Sequence, residues 1–303
     1  MATTENVITK AEAFSFLRNV LDIAYPESKM ATDSTALLSD IVSSWQSYIP
    51  FQNLGMIACP QEERHLPTLH EIKKNVFTKM GGCCYHNNIG CYLILCAVGF
   101  DVFLVASDVG MRNNHPISIV YNLSYSGSRH VVDVGTGGYP TFLPIPLDFK
   151  KESSEYHQSY LRYKFILEGD TITRMHNADS NPSAGAWFED TTVDSWYPYT
   201  IIHHDTPVEI SHFDETMKKL FTHVLPSVPL LSSPMATYFP NGRFVSIKNT
   251  TLLVENDQGK VEKLYLKSRA DILAAYARFF PQLPPELILT ALADGNVKLN
   301  FDK

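Results

Sequence analysis

Hydrophobic positions recur at helical spacing through the N-terminal third of the chain. Phe14, Phe16, Leu17, Val20 and Leu21 form one series, and Leu37, Leu38, Ile41, Val42 and Trp45 form a second. Each predicts an amphipathic helix that buries one face. The pattern breaks at Pro50 in IPFQNL and restarts after Pro67, where Thr68 is placed to cap a helix carrying Leu69, Ile72, Val76 and Phe77. Gly81 and Gly82 end that helix, and another is expected from about Asn87 to Val98, stopped by Gly99. Its apolar run, CYLILCAVGF, is about half the ~20 residues that a membrane-spanning helix requires, so it predicts a buried helix.

After Gly99 the texture changes to short β-branched runs: FDVFLVASDV, HPISIVYNL and RHVVDV, the last two joined by YSGS as a hairpin turn. The β region is expected to continue through YLRYKFILEGDTITRM to about WYPYTIIHHD. The remainder mixes a helix around DETMKKLFTHVL, strands in GRFVSIKNTTLLVEN and KVEKLYLK, and helices in SRADILAAYARFF and PPELILTALADG. No internal repeat, low-complexity tract or flexible linker interrupts it. The expectation is an α+β fold of three subdomains in one unit: helical (1–98), β (99–212) and mixed α/β (213–303).

Composition narrows the function. At 303 residues with 45% apolar side chains the chain can fill a core without staples. Five cysteines are an odd count, and MATTENVITKAEAF resembles no secretory signal, which predicts a reducing, cytoplasmic protein with free thiols. A net charge of −7 with no cluster of Lys and Arg argues against nucleic acid, and the absence of a long apolar span argues against a membrane.

The densest chemistry is MGGCCYHNNIGC, with Cys83, Cys84, His86 and Cys91 inside nine residues. A structural zinc site would need a second, separated pair of ligands, and no such hook follows, so no metal is expected. A vicinal disulfide would be strained. Packing is the reading for Cys91 and Cys96, inside the apolar helix. Cys83 and Cys84 instead stand at a helix start behind two glycines, where unpaired amides and the helix dipole favour a thiolate and where missing Cβ atoms admit a close approach. A nucleophilic cysteine needs a base, and the base needs an orienting acceptor. His115 in NHPISIV and Asp133 in RHVVDVG lie on strands joined by the expected hairpin and supply both. A carboxylate inside VVDV is costly to bury unless paired, and a histidine partner removes that difficulty. A competing motif shares these residues, because HVVDVGTGG resembles the D-x-G-x-G loop of S-adenosylmethionine-dependent methyltransferases. That loop should open a helix, whereas YPTFLPIPLDF follows here with three prolines in seven residues.

The order of these segments resembles the arylamine N-acetyltransferases. IPFQNL is similar to their P-F-E-N-L segment, MGGCCYHNN to R-G-G-x-C-[FLY]-[EQ]-x-N, and AVGFDVFLVASDV to L-G-F-x-V. HPISIV is similar to the histidine strand, and DVGTGGYPTFLPIPL to D-V-G-F-G with its proline-rich continuation. SSPMATYF and NGRFVSIKNTTL resemble the start of the third domain. The specific core runs from Pro50 to Pro146. The resemblance implies a helical bundle, a β-barrel and an α/β lid around a cysteine-protease-like core, with Cys84, His115 and Asp133 as the catalytic triad. It implies ping-pong transfer of an acyl group, through a cysteine thioester, from acetyl-CoA or another acyl thioester to a small-molecule amine, hydrazine or hydroxylamine. CoA would be a co-substrate, with no permanently bound cofactor. Phe51, Thr136, Gly137 and Gly138 are the expected substrate-binding residues, with the turn Asn241–Arg243 as a further candidate for CoA that is most simply a hairpin turn. An amide synthase drawing on an acyl carrier protein or polyketide thioester remains the alternative, with a hydrolase and the methyltransferase as remoter ones.

Three residues depart from the family pattern. Met80 replaces arginine, with Lys79 beside it; His86 replaces Glu or Gln; Thr136 replaces phenylalanine. Thr136 is expected to line the acyl or amine pocket and to open room there. His86 is expected to be a scaffold hydrogen-bonding group, or a second titrating group near the site.

Overall fold

The computed structural model describes residues 7–180 and 194–301. The two apolar series form α1 (Lys10–Asn19) and α3 (Ser34–Tyr48), with α2 (Pro26–Thr32) between them. Their starts are fixed by side chains that satisfy otherwise unpaired amides: Thr9 and Glu12 form a capping box on α1, and Asp33 accepts from the Ala36 amide on α3. Phe16, Leu17, Leu38, Ile41 and Trp45 then close into one apolar core.

β1 (Phe51–Gln52) and α4 (Leu54–Ala58) occupy the segment where the helical pattern broke. α5 (Leu69–Phe77) begins as expected at Thr68, which forms a capping box with Glu71. α6 (Cys84–Val98) starts earlier than its apolar run. Its first turns, Tyr85 to Asn88, are polar yet buried, so apolar periodicity alone understated the helix. Cys91 is buried as expected, whereas Cys96 is exposed, on the side of α6 turned away from the core.

The β region is an antiparallel sheet of β2 (Val102–Asp108), β3 (His115–Tyr121), β4 (Arg129–Val132), β5 (Ile145–Pro146), β6 (Tyr156–Gln158), β7 (Leu161–Glu168), β8 (Thr171–Asn177) and β9 (Trp196–Val208). The strand order is β5-β4-β3-β2-β9-β8-β7-β6, and the sheet curls into a half-barrel. The YSGS turn joins β3 and β4 in the expected hairpin, with Ser118 opposite Val132 and Tyr121 opposite Arg129. The part of the expected β region between 181 and 193 lies outside the described residues.

The last region contains α7 (Asp214–Thr222), β10 (Met235–Tyr238), β11 (Val245–Lys248), β12 (Thr251–Glu255), β13 (Val261–Tyr265), α8 (Arg269–Phe279) and α9 (Pro285–Ala293). Its sheet runs β1-β10-β11-β12-β13, so its first strand comes from the helical region. Phe51 pairs with Thr237 and Gln52 with Ala236. Asn53 completes the join: its amide nitrogen donates to the Leu230 and Ser233 carbonyls, both at 2.8 Å, and its oxygen accepts from the Met235 amide at 2.7 Å. Asn53 is fully buried. Asn53→Ala would therefore strand three backbone groups, and denaturant unfolding is expected to show a loss of about 2 kcal/mol; an unchanged midpoint would mean that water replaces all three bonds.

Candidate active site

Three polypeptide segments meet at the start of α6. Gly81 has φ +63°, and a Cβ there would lie 1.9 Å from the Pro50 carbonyl oxygen. At Gly82 a Cβ would lie 2.4 Å from Cγ of His86. The room that the glycines leave is therefore taken by the chain itself, by Pro50 and His86. This corrects the expectation that it admits an outside group. The result is a tight bend that delivers Cys84 to the first position of α6, with Cys83 as its N-cap and no side-chain cap bond.

His115 opens β3, and Asp133 follows the last residue of β4. Across the hairpin, His115 Nε2 lies 2.9 Å from Asp133 Oδ2, with both side chains buried. Asn88, one turn beyond Cys84 on α6, braces this pair. Its amide donates to Asp133 Oδ1 at 2.8 Å and to the Pro116 carbonyl at 2.7 Å, while its oxygen accepts from the Val134 amide at 2.9 Å. The Gly135 amide adds a bond to Asp133 Oδ1 at 3.1 Å. Burial alone would raise the Asp133 carboxyl, but the facing imidazole, the Asn88 amide and the charge of Arg174 outweigh it and hold the group below the usual carboxylate range. Because Nε2 faces Asp133, Nδ1 is the imidazole nitrogen free to exchange a proton with the cleft.

The Cys84 sulfur lies 3.8 Å from the carbonyl of Asn114, the residue before His115. Its neighbour Cys83 is buried, with its sulfur 3.5 Å from Nδ1 of His86. The vicinal Cys83 sulfur, with burial and the Asp133 charge, pushes the Cys84 thiol up, against the helix-start amide of Tyr85. The same closeness, backed by His86 against burial, pulls Cys83 down.

Cys84 and His115 open on a cleft of about 360 Å³ between the half-barrel and the last region. Phe51, Thr136, Gly137 and Gly138 all line it, as do Tyr139, Tyr160, Tyr199 and Phe244. Thr136 bonds through its hydroxyl to the Tyr139 carbonyl, and its own carbonyl accepts from the Tyr199 hydroxyl at 3.2 Å. The turn holding Asn241 connects β10 to β11, and Asn241 faces a different hollow, beside Tyr48 and Lys79. Met80 packs against the apolar core of the last region, and Lys79 lies over the Tyr48 ring. His86 tilts against Phe221 and faces a second cavity behind α6. The sheet is antiparallel, and an extended segment rather than a helix follows Asp133, which overturns the methyltransferase reading.

Sequence reasoning gave Asn88 no role, although it stands at the last position of the cysteine motif. Tyr139, Tyr160 and Tyr199 also escaped notice. They come from one strand, β9, and two loops, and nothing local marks them as facing one cleft.

A family model described as N-acetyltransferase matches residues 34–281. No curated protein matches the chain. Among solved structures it is similar to the arylamine N-acetyltransferase of Mycobacterium marinum in complex with CoA, at TM-score 0.72 and 16% identity over 94% of this chain and 99% of that one. It is similar to the Nocardia farcinica enzyme of the same description at TM-score 0.72 and 18% identity, over 95% and 96% of the two chains. A Bacillus cereus arylamine N-acetyltransferase described as having a unique Cys-His-Glu catalytic triad matches at TM-score 0.66 and 18% identity, over 88% and 96%. At these identities the likeness is one of fold.

The Asp133 carboxyl carries a pH signature. A depressed carboxyl contributes stability that is complete above the ordinary carboxylate range, about pH 4, and is lost as pH falls through the folded value. Asp133→Asn is expected to unfold at lower urea than the native chain at neutral pH, and the gap should narrow below about pH 4. A gap of equal size at both pH values would show that the carboxylate's charge is not what stabilises the site.

Proposed function

The chain belongs to the arylamine N-acetyltransferase family, and we propose that it carries an acyl group from a CoA thioester through Cys84 to a small aromatic amine, hydrazine or hydroxylamine. The observation that carries this reading is the buried His115–Asp133 pair, braced by Asn88 and opening on the same cleft as Cys84. The CoA bound to the similar Mycobacterium marinum protein supports a CoA thioester as donor.

The geometry supports a definite sequence of events. His115 Nδ1 takes the Cys84 proton while Asp133 holds the Nε2 proton, fixing the tautomer and stabilising the imidazolium. The thiolate sulfur attacks the thioester carbonyl carbon. The oxyanion that forms faces amides at the start of α6, which lack intrahelical partners and a side-chain cap. Collapse breaks the C–S bond to CoA, whose sulfur leaves with the proton from His115. The acyl-Cys84 thioester is then attacked by the amine nitrogen, which yields a proton to His115. The second collapse forms the amide and returns Cys84 as a thiol. Phe51, Tyr139, Tyr160, Tyr199 and Phe244 give the acceptor aromatic walls, while Thr136 leaves space that a ring would fill.

Intact-mass spectrometry after exposure to acetyl-CoA is expected to show one acyl group on the native chain and on Cys83→Ala, and none on Cys84→Ala. Acylation that survives Cys84→Ala sinks the assignment, and a native chain that no acyl-CoA modifies points to a carrier-protein donor. Thr136→Phe is expected to slow turnover of bulky acceptors about tenfold relative to the smallest arylamines; an unchanged acceptor profile would place Thr136 outside the acceptor pocket.

A further inference from the structure

Arg174 is 2% exposed inside the half-barrel, and no carboxylate pairs with it directly among the described residues. A guanidinium in that position costs several kcal/mol of lost hydration, so its retention calls for a physical reason. The alternation of β8 turns Ile172, Arg174 and His176 to the buried face, and the pairing of β8 with β9 shifts register between Arg174 and Met175. Such a bulge re-aims a side chain, commonly beside an active site.

The fork of Arg174 points at one loop. Nη1 donates to the Thr141 hydroxyl at 2.9 Å and Nη2 to the Pro140 carbonyl at 2.8 Å. The guanidinium carbon lies 4.2 Å from the centre of the Tyr163 ring and 5.8 Å from that of Tyr199, while Nε is buried without a partner. The loop it grips begins at Asp133 and forms the cleft wall from Thr136 to Tyr139. Two neighbouring phenols hold the same loop: Tyr199 donates to the Thr136 carbonyl and Tyr160 to the Gly138 carbonyl. The charge of Arg174 also adds to His115 and Asn88 in keeping Asp133 ionised.

We propose that Arg174 is a positioning residue for acyl transfer, fixing the 136–141 wall of the cleft from inside the half-barrel. The proposal rests on the acyl-transfer reading above. The groups around it leave few competing charges. Burial raises the phenols of Tyr160, Tyr163 and Tyr199 and lowers His176, so these stay neutral at working pH, and the Tyr199 ring stacks on His176.

The test compares the native chain with Arg174→Met, Arg174→Lys and Thr141→Val. It measures the rate of Cys84 acylation by acetyl-CoA, KM and kcat for an arylamine, and the thermal midpoint of each variant. Arg174→Met removes both bonds to the loop and is expected to raise KM about tenfold while kcat changes much less. Arg174→Lys keeps a charge but not the fork and should raise KM by a smaller factor. Thr141→Val keeps Arg174 whole, removes one of its two bonds, and should also raise KM with a thermal midpoint near the native one. It stands in for Arg174→Met if the methionine variant fails to fold. The proposal is overturned if a folded Arg174→Met keeps the native KM, or if Thr141→Val does. A native chain that no acyl-CoA acylates sinks the CoA-donor reading itself, a result separate from any of these.

Discussion

A carboxylate placed in an apolar strand must find compensating partners or give up its charge. Asp133 finds them in four directions: the His115 ring across the hairpin, the Asn88 amide from α6, the Gly135 amide of its own loop, and the charge of Arg174 from the inside of the sheet. The partners belong to elements far apart in the chain, so satisfying one carboxylate registers the nucleophile helix against the sheet. The close approach needs Gly135, where a Cβ would lie 2.9 Å from the Cys84 Cα and 2.8 Å from the Asn88 amide.

The same logic organises the periphery of the site. Gly81 lets the chain turn under the Pro50 carbonyl, and IPFQNL then crosses to the sheet of the last region, where Asn53 satisfies three backbone groups. The cleft floor and its outer wall are thus tied to a single segment of six residues. A shift of that segment would move Phe51 and the start of α6 together.

The adjacent cysteines show how position on a helix start separates two identical groups. Cys84 faces the cleft that contains His115, whereas Cys83 is turned into the core against His86, which occupies the space above Gly82. Cys83 meets the His86 imidazole directly, Cys84 shares its cleft with the His115 imidazole, and of these two rings it is His115 that has a carboxylate behind it.

Much of this was readable from the chain alone. The apolar series gave α1 and α3, Thr68 gave the start of α5, and YSGS gave the β3–β4 hairpin, because each depends on contacts within a few residues. The triad candidates were also readable, since a cysteine behind two glycines and an aspartate inside VVDV are each hard to explain locally. Other features were set only by tertiary structure. The first turn of α6 is polar and buried, the cysteine pair is inverted in proton affinity by its neighbours, Cys96 is exposed on an apolar helix, and Arg174 looks in sequence like any polar residue of an alternating strand. The physical reason is common to all four. Local sequence sets backbone conformation and which side of an element a residue occupies, but hydration, charge and proton affinity depend on what packs against that side, and those groups arrive from elsewhere in the chain.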